Sequence, residues 1–302
     1  MSAKIPSRSV AVAVAVFLTL IWGTTWAAIR VSLEGFAPLT GLAIRFAIGG
    51  LILLAAARIA RVRFGRARYE RPMWVVQAVF VFGVAYGVVY WAEQWVPSGL
   101  TSVLFSTLPL FVVIFAWFII PEERLGKLGL FGIAVGFAGV AVIFSDDLRQ
   151  LGGAEVRTAA SVLLLAPIAA AFGQVAVKRW GTDVHSLSLT AVPMTASAAM
   201  LGVLAWGLER DRPVSFEPGP VAAVLYLAVI GSAVTFSLFF WLLKHVSVTQ
   251  LSMIAYGIPV VAVTIGTVFL DEPLTVRMAA GAALVVSGAA LVMRRQGPPT
   301  DR

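Results

Sequence analysis

The sequence contains no cysteine and only two histidines, His185 and His245. Without cysteine the chain forms no disulfide, uses no thiol nucleophile and holds no metal through thiolates. Two histidines alone do not complete a metal site, so we expect no metal and no cofactor. We also expect no enzymatic activity, because no nucleophile–base pair stands out within the apolar segments.

Charged residues are scarce too, at 13% of the 302 residues, whereas 60% are hydrophobic. A soluble domain carries about 25% charged residues, so this chain has too few to cover a water-facing surface. The net charge of +8 could indicate a nucleic-acid partner. However, the basic residues lie in short gaps between apolar runs and not on one polar face. Lipid, and not nucleic acid, is therefore the expected partner of most of the surface.

Ten apolar runs have about the 20 residues that a helix needs to cross the hydrocarbon core of a bilayer. The first is longer than the apolar core of a signal peptide, so we interpret it as a spanning helix. Such long, continuously apolar segments favour helices over barrel strands, which predicts an all-α membrane protein. The expected spans are residues 10–30, 38–57, 73–92, 98–120, 128–145, 159–178, 186–207, 219–242, 247–270 and 276–293.

The distribution of lysine and arginine predicts the orientation. With a cytoplasmic N-terminus, the inner segments hold sixteen of the 23 basic residues and the outer segments six. Cytoplasmic loops carry such an excess of positive charge, and an even number of helices returns the chain to the same side. We therefore expect a multi-pass protein of the plasma (inner) membrane with both termini in the cytoplasm.

The two halves of the sequence match at an offset near 150 residues. Trp91 corresponds to Trp241, and Pro109 corresponds to Pro259. Each half has five expected helices, and an odd number places the second half upside down relative to the first. The sequence thus predicts two inverted five-helix repeats, residues 1–150 and 151–302, around a central cavity. Inverted repeats of this kind are common in secondary transporters.

Several motifs carry a resemblance to a known family. They are IWGTTWAAIR in the first span, LAIRF in the second, PEERLGKLGLFGIAVGFAGV at the end of the first half, and the stretch from YGIPVV to SGAAL in the second half. The chain resembles the drug/metabolite transporter superfamily, in particular its ten-helix EamA-type members, and among these it most resembles YddG-type aromatic amino-acid exporters. The resemblance implies a basket of helices around a cavity, alternating access and export of metabolites from the cytoplasm.

Two functions fit these observations. The first is export of amino acids, in particular large neutral or aromatic ones, or of similar small metabolites. The alternative is export of multiple drugs or other amphipathic solutes on the same fold. Phosphorylated substrates are disfavoured, because desolvating a phosphate requires more buried cations than the spans contain.

Aromatic and polar residues within the spans are the candidate substrate-binding residues. Ring faces suit a partly apolar solute and attract an ammonium group, although rings near lipid or in packing contacts are equally common. A glutamine in a span is a costly polar group that faces either a cavity or a neighbouring helix. The candidates are Trp22, Thr25, Trp26, Tyr86, Tyr90, Phe172, Gln174, Phe236, Ser237 and Tyr256.

Arg45 and two prolines are candidates for gating. Arg45 is the only charge deep within an expected span, where it has a structural, gating or substrate-binding role or extends to the membrane surface. Pro109 and Pro259 lie at equivalent positions of the fourth and ninth spans, and each removes a helix hydrogen bond, which predicts a hinge or a fixed kink. The spans contain no central carboxylate, so we expect transport down the substrate gradient. We expect a monomer. A dimer is the alternative, because the small-residue motifs in the spans let helices of two chains approach closely.

Overall fold

The computed structural model describes residues 8–120, 127–144, 153–243 and 248–293. Within these ranges every regular element is helical. The α-helices are α1 (Arg8–Ser32), α2 (Pro38–Ile59), α3 (Glu70–Val76), α4 (Tyr86–Ala92), α5 (Ser98–Phe105), α6 (Leu108–Ile119), α7 (Lys127–Phe144), α8 (Ala154–Leu163), α9 (Leu165–Trp180), α10 (Ser186–Leu208), α11 (Pro218–Ala228), α12 (Thr235–Leu243), α13 (Val248–Phe269) and α14 (Val276–Met293).

Two π-helices join neighbouring α-helices into longer rods. The first π-helix, Gln77–Ala85, lies between α3 and α4, and the second π-helix, Val229–Val234, lies between α11 and α12. Two further rods bend at short interruptions, one between α5 and α6 and one between α8 and α9. Because π-helical turns leave the regular hydrogen-bond ladder, they are often found at functional sites.

The described part of the chain contains seven helical stretches that are long and apolar enough to cross a membrane. Three further apolar helices, Leu128–Ile143, Gly257–Phe269 and Val276–Gly288, are shorter. Large apolar side chains lie on the outer surface, for example Val203 with 69% exposed, Trp206 with 71% and Phe269 with 73%. A surface of this kind is soluble in lipid and not in water, so the structure is that of a multi-pass membrane protein.

Successive rods run in alternating directions and define two ends of the bundle. We call the end that carries Arg30 and Glu93 the Arg30 end, and the opposite end, where α9 finishes, the Lys178 end. At the Arg30 end the carboxylate of Glu209 accepts hydrogen bonds from the start of α2, at Leu39 N (3.0 Å) and Thr40 N (2.9 Å). A remote carboxylate thus satisfies the free N–H groups at this helix start.

Several helix pairs pack along much of their length. The pair α7 and α14 is antiparallel, since Gly136 lies beside Gly288 whereas Gly139 lies beside Gly281. By contrast, α1 and α13 are parallel, since Thr19 lies beside Gly257 and, further along both helices, Gly23 lies beside Val261. The absence of a side chain at the glycines lets these backbones approach closely.

The contact between α7 and α14 provides a stability test. A Cβ atom added at Gly288 would lie 2.4 Å from the backbone nitrogen of Gly136, so the two helices would have to separate. Overpacking of this kind costs about 1–3 kcal/mol, and we expect Gly288→Ala to lower the melting temperature of the purified protein. Gly202→Ala is the matched control, because a Cβ atom there meets nothing within 4 Å. Equal melting temperatures for the two variants would contradict this close contact.

Candidate functional site

A cavity of about 230 Å³ lies inside the bundle and is the candidate substrate site. Its wall is formed by α1, the first π-helix, α4, α5, α6, α9, α12 and α13. Ile29 and Ser102 line it toward the Arg30 end, and Gln77 and Lys178 line it toward the Lys178 end. The cavity therefore extends along the long axis of the bundle between these two pairs of residues.

Aromatic side chains make up much of the cavity wall. Their rings contact one another at packing distances, with 5.7 Å between the centroids of Trp22 and Phe236 and 5.4 Å between those of Trp26 and Phe105. The structure brings together four of the predicted aromatic residues. The rings that line the cavity are Trp22, Trp26, Tyr86, Phe105, Phe236, Phe239 and Phe240.

The two tryptophans of α1 differ in their hydrogen bonding. The Nε1–H of Trp22 donates to Thr235 Oγ1 at 3.1 Å, which fixes the ring against α12. The Nε1–H of Trp26 is buried, and no group in the described residues accepts a hydrogen bond from it. A buried donor without an acceptor is unfavourable by about 1–3 kcal/mol. A ligand that offers an acceptor to Trp26 would remove this penalty.

Hydroxyl groups in the cavity wall present acceptors. Thr25 donates its hydroxyl hydrogen to Trp22 O at 2.7 Å, and Ser102 and Ser106 donate to carbonyls of their own chain segment at 2.7 and 2.8 Å. Each hydroxyl hydrogen is used within the chain segment, so the lone pairs of these oxygens stay available to accept hydrogen bonds from a ligand. These oxygens suit a donor such as an ammonium group of a ligand.

Two amides and one cation complete the polar lining. Gln174, a predicted residue, lines the cavity together with Gln77 and Lys178. The side-chain nitrogen of Gln77 donates to Gly173 O at 3.0 Å and so links the first π-helix to α9. Sequence reasoning missed Gln77, although a glutamine within an apolar span was the same signal that identified Gln174. It also placed Lys178 at the inner end of the sixth expected span without giving it a role in binding.

The other predicted binding residues lie elsewhere. Tyr90 is fully buried and accepts a hydrogen bond from Arg45, and Ser237 of α12 donates to Ala233 O of the adjoining π-helix. Phe172 packs against Phe80 at 4.9 Å between centroids, away from the cavity wall. The side chain of Tyr256 lies outside the described residues.

Arg45 bridges α2, α4 and the second π-helix. It is 1% exposed and donates to Ser232 Oγ at 2.9 Å, while the carbonyl of Gly231 and the hydroxyl of Tyr90 both lie at 3.4 Å. The guanidinium carbon also lies 5.0 Å from the ring centroid of Tyr86, a cavity residue. Arg45 therefore stands behind the cavity wall and does not extend to the membrane surface.

The two predicted hinge prolines have different surroundings. Pro109 lines the cavity and is the second residue of α6, directly after the turn at Ser106 and Thr107 that interrupts the rod. Pro259 is buried within the uninterrupted helix α13. The break between α5 and α6 agrees with the effect of a proline on a helix, whereas α13 accommodates its proline within one continuous helix.

A multi-pass helical bundle around a ring-lined cavity is the architecture of a membrane transporter. Comparison with protein families agrees, because the model of the EamA-like transporter family matches the chain twice, over residues 9–145 and 157–294. The chain belongs to the EamA-like transporter family.

Relatives and a solved structure extend this result. The chain is 31% identical over 261 residues to the uncharacterized inner membrane transporter YedA of Escherichia coli K12, which covers 85% of this chain and 82% of YedA. It is 27% identical over 277 residues to the uncharacterized transporter YvbV of Bacillus subtilis, covering 91% and 89% of the two chains. A solved crystal structure with 23% identity superposes with a TM-score of 0.69 over 97% of this chain and 100% of that chain, which shows the shared fold. These names support a transport role.

Proposed function

We propose that this chain is a secondary transporter that exports amino acids, in particular large neutral or aromatic ones, across the inner membrane by alternating access. The cavity is the observation that carries the proposal. Its rings suit an apolar side chain, the unpaired Nε1–H of Trp26 suits a carboxylate, and the hydroxyl oxygens of Thr25, Ser102 and Ser106 suit an ammonium group. The resemblance of the sequence to YddG-type exporters points to the same substrates.

The proposal includes ten spanning helices arranged as two inverted repeats, residues 1–150 and 151–302. Equivalent contacts in the two halves support it. Gln77 is hydrogen-bonded to Gly173, and Tyr226 is hydrogen-bonded to Thr24. In the repeat Gln77 is equivalent to Tyr226, and Thr24 is equivalent to Gly173, because each of these two pairs is separated by 149 residues. The two π-helices have the same spacing, since they end at Ala85 and Val234. The double match of the family model adds to this support.

The proposed orientation places the Lys178 end in the cytoplasm, together with both chain termini. It rests on the distribution of lysine and arginine in the sequence, and the inner-membrane location is also in the printed name of YedA. In this orientation the substrate enters past Gln77 and Lys178 and leaves at the Arg30 end. In this proposal the protein acts as a monomer, and the concentration gradient of the substrate drives transport.

Counterflow with purified protein in liposomes tests the substrate class. Vesicles loaded with unlabelled solute are expected to accumulate radiolabelled phenylalanine, tryptophan or leucine and not sugar phosphates. Exchange confined to phosphorylated solutes would contradict the proposal. Exchange of apolar cations but of no amino acid would favour the alternative function, an exporter of multiple drugs or other amphipathic solutes, which the abundance of rings in the cavity also allows.

The indole N–H of Trp26 provides a sharper test. Trp26→Phe keeps an aromatic ring and removes the unpaired donor, so we expect amino-acid exchange to fall roughly tenfold or more, as loss of a hydrogen bond to a charged group predicts. Trp206→Phe is the control, because this ring is 71% exposed on α10. Trp22→Ala and Gln174→Ala are expected to impair exchange as well. Unchanged exchange in Trp26→Phe, with folded protein, would remove this residue from the site.

A further inference from the structure

Glu93 is a buried carboxylate in the short link between α4 and α5, at the Arg30 end of the bundle. Its exposed fraction is 0%, and the neighbouring residues Tyr90, Val96 and Ser98 are equally buried. Val89, four residues earlier in the chain, lines the cavity, so Glu93 lies about one helical turn beyond the cavity toward this end. Under the proposed alternating access, the buried groups at this end, Glu93 among them, must open for a solute to leave there.

The carboxylate of Glu93 lacks a partner in this closed arrangement. Neither side-chain oxygen accepts a hydrogen bond from any group in the described residues. Arg30 of α1 is adjacent, but its guanidinium donates to the backbone carbonyl of Glu93 and not to the carboxylate. The guanidinium of Arg45 is held by Ser232 and Tyr90.

Among the described residues, Glu272, in the link between α13 and α14, is the acidic group whose charge acts on Glu93. Its own oxygens accept from Ser98 N at 2.7 Å, Ser98 Oγ at 3.0 Å and Gly99 N at 2.9 Å, so three donors at the start of α5 hold this carboxylate. Two neighbouring carboxylates that are both ionised repel each other. The unpaired one, Glu93, is the one that takes up a proton.

The protonation state of Glu93 follows from these surroundings. An ionised carboxylate buried without a hydrogen bond is far less favourable than the neutral acid. Burial, followed by the charge of Glu272, raises the pKa of the Glu93 carboxyl well above its usual range, and the attraction of Arg30 and Arg45 offsets only part of that rise. Burial without a hydrogen-bond donor thus favours the protonated form of Glu93 in the closed arrangement.

We propose that Glu93 is a proton-binding site that regulates opening of the Arg30 end. Closing buries the carboxyl as the neutral acid; opening admits water, frees the carboxylate to pair with Arg30 and releases the proton to the same face of the membrane. Because the proton returns to the face from which it came, it controls the gate without driving transport. The inference rests on the proposed alternating access but not on the identity of the substrate.

Linkage gives the size and sign of the effect. One proton that is bound only in the closed state changes the ratio of open to closed molecules by at most about tenfold per pH unit. A rise in pH at the Arg30 face therefore favours the open state, and a fall in pH favours the closed state. The slope disappears well below the ordinary pKa of a glutamate, where both states hold the proton.

Thiol labelling measures this equilibrium without a substrate, because the chain has no cysteine of its own. Ser102→Cys places a thiol in the cavity wall near the Arg30 end. Val214→Cys places one at an exposed position of the link between α10 and α11, at the same end of the bundle. A membrane-impermeant maleimide is added at the Arg30 face of the membrane. The labelling rate of the Ser102→Cys variant is divided by that of the exposed reference, which corrects for the pH dependence of the reaction at an accessible thiol. The same ratio in the Glu93→Gln background corrects for the pKa of the thiol at position 102.

The normalised rate of Ser102→Cys is expected to rise with pH by up to about tenfold per unit. Adding Glu93→Gln, which mimics the protonated acid, should abolish the slope and keep the rate at its low-pH value, while Glu93→Asp should restore a slope. Glu34→Gln is the matched control, since Glu34 is an exposed glutamate of the link between α1 and α2 at the same end, and the slope should persist there. A slope that survives in Glu93→Gln overturns the proposal.

Two further outcomes separate this inference from the proposed function. Labelling of Ser102→Cys that occurs but does not vary with pH overturns the proton site and leaves alternating access intact. No labelling at any pH, with the Val214→Cys reference labelled, overturns both the proton site and alternating access.

The melting temperature of the unmodified protein is a second measurement. It should fall as pH rises above about 4.5, the ordinary pKa of a glutamate, because the unfolded chain releases the Glu93 proton at a lower pH than the folded chain does. Glu93→Gln should reduce this fall, and an identical fall in both proteins contradicts the proposal.

Discussion

Glu272→Ala is expected to lower the free energy of unfolding by roughly 3–5 kcal/mol, with a clear fall in melting temperature and in the yield of folded protein. The carboxylate accepts three hydrogen bonds from Ser98 and Gly99, and bonds to a charged group contribute about 1.5–3 kcal/mol each without adding fully. Removing it leaves the first N–H groups of α5 without an acceptor in a buried layer, where Ser98 is 0% exposed. Thermal unfolding of the purified protein in detergent measures the effect.

A matched control distinguishes this bond network from the loss of any acidic residue at the same end. Glu217 lies on the exposed link before α11, and its side chain caps no helix start. Glu217→Ala should melt close to the unmodified protein, within the roughly 0.5 kcal/mol range that is usual for surface substitutions. Glu272→Gln, which keeps the shape and loses the charge, should fall between the two. If Glu272→Ala melts like Glu217→Ala, the cap contributes nothing to stability.

Glu272 also illustrates what a sequence pattern leaves out. In the repeat, Glu272 corresponds to Glu123 of the first half after a shift of one residue, but this correspondence gives no role for the side chain. The structure supplies one, because Glu272 crosses from the end of α13 to the start of α5, 174 residues earlier in the chain. A contact of that sequence separation depends on how the helices pack, and hydropathy alone carries no information about it. Glu123 lies outside the described residues.

The helices themselves could be predicted well. Lipid leaves the backbone no partner except its own chain, so every long apolar run had to be helical, and the expected break at residues 93–97 is the link between α4 and α5. The π-helices could not be predicted, because an apolar run has the same composition whether its hydrogen bonds skip three residues or four. The first π-helix sets which residues between 77 and 86 face the cavity, namely Gln77, Val81, Ala85 and Tyr86.

The candidate site was predicted in part for a similar reason. Trp22, Trp26, Tyr86 and Phe236 were chosen as rings deep in the spans, and they lie together in the cavity wall. Phe172 was chosen on the same grounds and packs against Phe80 and Phe115 instead. Depth in the membrane can be read from the sequence, but the direction in which a ring faces depends on helix rotation. Glu93 directly follows the expected span 73–92, and its complete burial there comes from tertiary packing.

Arg45→Ala is expected to have the other large effect, a loss of roughly 3–5 kcal/mol and little recoverable protein. Arg45 is the largest of the side chains with less than 2% exposure, and its removal leaves a void together with the hydroxyls of Ser232 and Tyr90 and the carbonyl of Gly231. Breaking one side of a buried charged network typically has this cost, because the remaining polar groups stay buried.

Substitutions that keep part of the side chain identify which property matters. Arg45→Lys retains the charge, but a single ammonium group lacks the planar fork that reaches three acceptors, so we expect an intermediate melting temperature. Arg58→Ala is the control on the same helix, because Arg58 lies exposed in the last turn of α2. If Arg45→Ala melts at the same temperature as Arg58→Ala, the hydrogen bonds from Arg45 to the second π-helix do not contribute to stability. A large loss in Arg45→Ala with a small one in Ser232→Ala would instead assign the stabilisation to the whole network, including the contact with the ring of Tyr86.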